Sequence, residues 1–327
     1  MTFPITRHPG TIVFVDDDAN FLNTIRTVVD PEWSVRTFAM SSEFIDHITA
    51  KIAVTRDMET YQRRSLERYR SGGSAATEVL RYWNSFPERY SLPQVVVIDY
   101  YMPNMTGLEA LGKCTGWNGK RILMTGVADE DLVCKAFNER QIDYYISKKN
   151  SKLISQISGA ISLMKGKSFD VAPNQWNAWS ASLESQHHLY LSNDSVESEL
   201  DGLLGDKYEH IALGNPFGVL ALGHAGGVKW IQLETSSTLE SAANAAAGSG
   251  LSAQDVQRIR DGQALSDVRI NQALALSEPT KTSDVKFFVR IPGTSEVVYG
   301  AEFDVATHAA PPKEMCYSAW HARQFEN

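Results

Sequence analysis

Apolar and polar positions alternate between two regimes along the first half of the chain. The apolar run Val95 to Ile98 is too short for a buried helix and predicts a strand covered on both faces, and Thr11 to Val15, Lys120 to Met124 and Ile142 to Ile146 predict further short strands. Ser34 to Phe38 supplies another strand. Between them apolar residues recur at helical spacing: Phe21, Leu22, Ile25, Val28 and Val29; Leu132, Val133, Ala136 and Phe137 within Asp129 to Arg140; Ile154, Ile157, Ile161 and Met164. The pattern predicts a βα alternation with Asp18 capping the first helix and right-handed crossovers. It is interrupted between Ile48 and Leu92, where a basic helical stretch through YQRRSLERYR meets a break at Ser71-Gly72-Gly73, and Ala75 to Phe86 forms a further helix.

From Val171 the alternation stops. Strands are expected at Tyr208 to Leu213, Phe217 to Leu222, Val228 to Glu234, Asp284 to Ile291 and Glu296 to Val305, with helices at Thr238 to Ala247 and Ala253 to Asp261. Hairpins around HAGG and PGTS point to an α+β domain with a largely antiparallel sheet. The 327 residues exceed what one ordinary core needs. The expected division is a domain over 10–166, carrying an insertion of about 49–92, and a second over 167–327.

The strand ends carry the candidate chemistry. Asp16 and Asp17 end the first strand, Asp99 ends QVVVID, Thr125 follows KRILM, and Lys148 and Lys149 follow the fifth strand. Ligands bind at this edge of an open parallel sheet. Three converging carboxylates repel unless a hard cation sits among them, and an oxygen-rich site that keeps several waters suits Mg²⁺. After Asp99, Pro103, Asn104 and Gly107 make a turn, Gly107 being expected to permit positive φ, and a helix starts near Thr106.

The spelling DYYMPNMTG around Asp99, with the other strand-end residues in order, resembles the receiver domains of two-component response regulators. The resemblance covers residues 10 to 166 without the insertion. It implies a doubly wound, five-stranded parallel sheet (flavodoxin-like), Mg²⁺ held by Asp16, Asp17, Asp99 and the backbone carbonyl of Tyr101, and a phosphoryl group accepted by Asp99 from a histidine kinase or phosphotransfer protein. Such a domain catalyses its own phosphorylation and dephosphorylation. Thr125 corresponds to the hydroxyl that binds the phosphoryl oxygen, Lys148 to the charge-compensating lysine, and Tyr145 to the aromatic switch. Tyr101, two past the acceptor, would lie beside the path of hydrolytic water. One departure is Lys149, where the family usually has proline, and Lys149 could stand in for Lys148.

Charge bears on partners. The net −8 is uneven: from Asp170 onward there are 10 Lys+Arg against 20 Asp+Glu, leaving 21 against 19 before it. Since phosphate neutralisation dominates DNA affinity, an acidic second half speaks against a DNA-binding output. Arg63, Arg64, Arg68 and Arg70 of the insertion could meet a nucleic acid or an acidic partner, though Glu59, Glu67 and Glu78 among them favour a solvated helix. Three scattered cysteines make neither a disulfide framework nor a zinc site. With no apolar run long enough for a membrane helix and no signal-peptide layout, a cytoplasmic protein is expected. The second half resembles no family by its motifs. Its expected action is through an unknown protein target or homodimerisation on phosphorylation, with a receiver-controlled enzyme or nucleotide-binding module as the alternative and DNA binding third.

Overall fold

The computed structural model describes residues 3–126, 130–166 and 179–324. It divides into two compact units: Pro9–Met58 with Glu88–Ala172, and Met1–His8 with Glu59–Pro87 and Pro173–Asn327. Residues 59–87, most of the expected insertion, thus group with the carboxyl-terminal part of the chain. The expected boundary near 166 and the helix start at Asp129 lie outside the described residues.

The first unit is built on a five-stranded parallel sheet in the spatial order Ser34–Phe38, Thr11–Val15, Pro93–Asp99, Lys120–Thr125, Tyr144–Ser147. Pro93–Asp99 is buried along its whole length, as an apolar run covered on both faces requires. One face packs Ile12, Phe14, Val95, Val97 and Ile122 against helices that bring Leu22, Ile25, Ile157 and Ile161. The other packs Val13, Val15, Val96, Ile98 and Leu123 against Phe44, Ile48, Ala110, Leu111 and Ala136. Asp18 caps the helix Ala19–Val28 by accepting from the backbone N–H groups of Asn20 and Phe21. The strand order reverses between Thr11–Val15 and Pro93–Asp99, so the carboxyl ends of these neighbours open a crevice.

The helix Ser41–Arg70 runs unbroken through the position where the insertion was expected to begin. The turn after it is closed by Gly72 at φ 96°, and Ala75–Ser85 returns along it. Arg68 is spent here: it and Arg81 bind Glu78, whose side chain is 3% exposed. Burial alone would raise the Glu78 carboxyl, but these guanidinium contacts outweigh it and hold it below the usual range.

The second unit carries a six-stranded antiparallel sheet ordered Thr6–Arg7, Tyr208–Gly214, Phe217–Gly223, Val228–Thr235, Val297–Val305, Phe287–Arg290. The expected strand from Asp284 to Ile291 is split. Thr282–Asp284 pairs instead with Ala264–Ser266 in a separate two-stranded sheet. The helices Ser185–Leu191 and Asp194–Leu204 cover one sheet face, setting Tyr190, Val196, Leu200 and Leu204 on Ala212, Val219 and Ile231. At the first edge, Phe3 stacks on His210 at 4.7 Å, and His210 Nε2 lies 3.0 Å from the carbonyl of Pro4. Among the described residues no helix is long and apolar enough to cross a membrane.

Candidate functional site

The carboxyl edge of the parallel sheet gathers Asp16, Asp17, Asp99 and Lys148. Each is placed by the residue pattern that ends its strand. Asp16 follows Val15 directly, is fully buried, and accepts from the Asp18 N–H at 3.1 Å, which bends the chain into its helix. Asp17 is exposed on the same turn. Asp99 is 5% exposed. The turn beyond it is held by Tyr100 N–H to Met124 carbonyl (2.8 Å) and Gly107 N–H to Tyr100 carbonyl (2.9 Å). Asn104, not Gly107, takes the positive φ (73°). Gly107 is required for space: a Cβ there would lie 2.2 Å from the Asp99 carbonyl oxygen. The helix it opens, Gly107–Lys113, is capped by Thr106 with Glu109 reaching back in a capping box.

Lys148 Nζ lies 2.7 Å from Asp16 Oδ2 and 3.0 Å from Asp99 Oδ1, and 5.4 Å from the Phe21 ring centre. Lys149 is exposed, and the ion pairs are made by Lys148. Burial raises both the Asp16 and the Asp99 carboxyls, more than the ammonium lowers them. Lys148 is itself held above the usual lysine range, because its two carboxylate contacts outweigh its desolvation. The two carboxylate oxygens facing Lys148 are buried and accept no well-aligned hydrogen bond, so the ammonium meets them as a point charge. One oxygen from each of Asp16, Asp17 and Asp99 lies within 4.8 Å of the others. This hard, oxygen-only donor set fits a small divalent cation, with the Lys148 ammonium beside it.

Thr125 is fully buried at the end of its strand, and its carbonyl accepts from the Lys148 N–H at 2.9 Å, tying the neighbouring strand ends together. Tyr145 is half-buried against the Phe44 and Ile98 cluster. Tyr101 is 54% exposed, its ring edge-on to Tyr100. Phe21 was not singled out from the sequence, since nothing in a helix-period apolar pattern distinguishes a residue under an ammonium from one in the core.

The parallel unit has the receiver fold, and the chain as a whole pairs it with an antiparallel α+β unit. No protein-family model matches the chain, and no curated protein matches it in sequence. Among solved structures, the Legionella pneumophila response regulator LqsR is similar over both units: 22% identity, covering 98% of this chain and 96% of that one, with a TM-score of 0.72. A CheY-like response regulator receiver domain from Methanospirillum hungatei matches over 48% of this chain and 98% of its own, at 18% identity and a TM-score of 0.30. At 22% identity the likeness to LqsR is one of fold: a receiver-type parallel unit joined to an antiparallel α+β unit.

Proposed function

We propose that this chain is a two-component response regulator that accepts a phosphoryl group on Asp99. The observation that carries the reading is the convergence of three carboxylates within 4.8 Å, two of them paired with one lysine, at the switch point of a receiver-type sheet. The donor is a phosphohistidine of a sensor kinase or phosphotransfer protein. Asp99 Oδ attacks phosphorus in line, the P–N bond breaks, and the electron pair leaves with the donor imidazole. Asp16, Asp17, Asp99 and the Tyr101 carbonyl would hold Mg²⁺, which supplies charge neutralisation for the transferring group. Lys148 pairs with a phosphoryl oxygen once the negative charge has moved outward from Asp99, and the Thr125 hydroxyl donates to another. Tyr145 then follows Thr125, giving a two-state element for the added charge of roughly −1.5 to −2 to bias.

Incubation with acetyl phosphate and Mg²⁺, read on a phosphate-retarding gel, should label the wild type but neither Asp99→Asn nor protein in EDTA. Equal labelling of Asp99→Asn would overturn the assignment. The acidic second unit acts downstream through a protein target or homodimerisation. An unchanged oligomer mass together with unchanged hydrogen-exchange protection on phosphorylation would refute that output.

A further inference from the structure

The antiparallel unit contains a cavity of about 330 Å³ where the strands Tyr208–Gly214 and Val228–Thr235 end and Phe217–Gly223 begins. One of its walls is His187, only 8% exposed and stacked on Phe217 at 4.2 Å. Its Nδ1 accepts the Glu184 backbone N–H at 3.1 Å, so the neutral ring must carry its proton on Nε2. Burial lowers this imidazole below the usual histidine range, which keeps it neutral at pH 7. The Nε2–H has no acceptor among the described residues, and the side chains of Tyr69 and Asn215 on the same cavity likewise make no hydrogen bond there. Water reaches this donor, and an acceptor oxygen of a guest would take the water's place.

Charge narrows the class of guest. Arg269 is committed to Glu234, with Nη1 at 2.9 and 3.2 Å from the two carboxylate oxygens, and its Nη2 donates to Ser241. Glu234 is otherwise satisfied by Gln232 and Thr238. Glu184 adds a second carboxylate, and no lysine lines the space. A phosphate or carboxylate ligand would therefore enter a site with one cation, already paired, and two anions. A cation would meet carboxylates already engaged, Glu234 by Arg269 and Glu184 by the Gln186 amide at 3.0 Å, beside an imidazole that offers only a proton.

We propose that this cavity binds a small uncharged amide with a flat body: its carbonyl oxygen accepts from His187 Nε2, its N–H groups face the Glu184 carboxylate, and its apolar face lies on Pro216 and Phe217. The site is independent of phosphoryl transfer at Asp99.

Three probes sharing one ring test this on the full chain: benzamide, benzoate and benzamidine, titrated into protein carrying ¹⁵N-histidine. Benzamide should move the His187 Nε2–H signal saturably, and the charged probes should bind at least about tenfold more weakly. His187→Asn keeps an acceptor for the Glu184 N–H but lacks the Nε2–H, and should weaken benzamide about tenfold. Glu184→Ala, at an exposed position, removes the carboxylate that the guest's N–H groups face, should weaken benzamide severalfold, and serves if the His187 variant does not fold. A response that never saturates, benzoate or benzamidine binding as tightly as benzamide, or undiminished binding in the folded variants would overturn the proposal.

Discussion

Replacing Lys148 by methionine keeps most of the aliphatic stem and removes the ammonium from between Asp16 and Asp99. Two carboxylates, one fully buried and one 5% exposed, are then left without a cation. Stripping the partner from a buried charge costs about 3–5 kcal/mol. Protonating one carboxyl is an escape, and its cost is a ceiling on the damage. From the ordinary value of 3.8, at about 1.36 kcal/mol per unit, protonation costs about 4 kcal/mol at pH 7 and about 1.6 kcal/mol at pH 5. Burial already raises both carboxyls, so the loss falls below that ceiling. A carboxyl whose folded pKa lies above its unfolded one stabilises most below the unfolded value, and that stabilisation is lost as pH rises through the folded value. The deficit of Lys148→Met should therefore be small at pH 5 and grow toward pH 8. Mg²⁺ should restore the variant more than it stabilises the wild type. Urea unfolding of both proteins at pH 5 and 8, in EDTA and in Mg²⁺, measures each quantity. An equal deficit at the two pH values, or equal Mg²⁺ protection, would show that Lys148 does not hold the acidic site together electrostatically.

Tyr101→Asn tests the proposal that the exposed phenol shields an aspartyl phosphate at Asp99 from water: it should hasten decay severalfold, and unchanged or slower loss of label refutes the shielding. His210, fully buried with its pKa pushed down to about 3, stabilises the fold above the unfolded value near 6.5 and loses that contribution as pH falls. Between pH 7 and pH 5 the unfolded chain takes up a proton that the folded one refuses, which costs about 2 kcal/mol. A His210→Gln variant should show a correspondingly flatter pH dependence in urea melts, and an unchanged slope would mean that other groups carry it.

The parallel unit was legible because its signals are local: an apolar run and the acid, hydroxyl or lysine that ends it are adjacent in sequence. Gly107 was read as a source of positive φ because a turn motif contains the residue but not the carbonyl it must clear. In the second unit, glycine turns marked the hairpins Phe217–Gly223 with Val228–Thr235 and Phe287–Arg290 with Val297–Val305. The helix Asp194–Leu204 was passed over although Asn193 is a standard cap and Val196, Leu200 and Leu204 repeat every four residues. Thr6–Arg7 was beyond reach, since two residues gain strand character only by pairing with Ile211 and His210, some two hundred positions on. The role of Arg68 was hidden likewise: its basic neighbours suggested an outward-facing stripe, while its partner Glu78 lies across a turn.

The backbone passes between the two units four times, at residues 8/9, 58/59, 87/88 and 172/173. No single scissor cut can therefore release either one whole. A polypeptide starting at 173 would arrive without its outermost sheet strand, without the phenyl ring that lies on His210, and without the helical hairpin carrying Tyr69. Such a truncation would leave apolar surface bare and invite precipitation. Work on the antiparallel unit is better done by point substitution in the intact molecule, or with a rewired gene that joins the three segments in a new order.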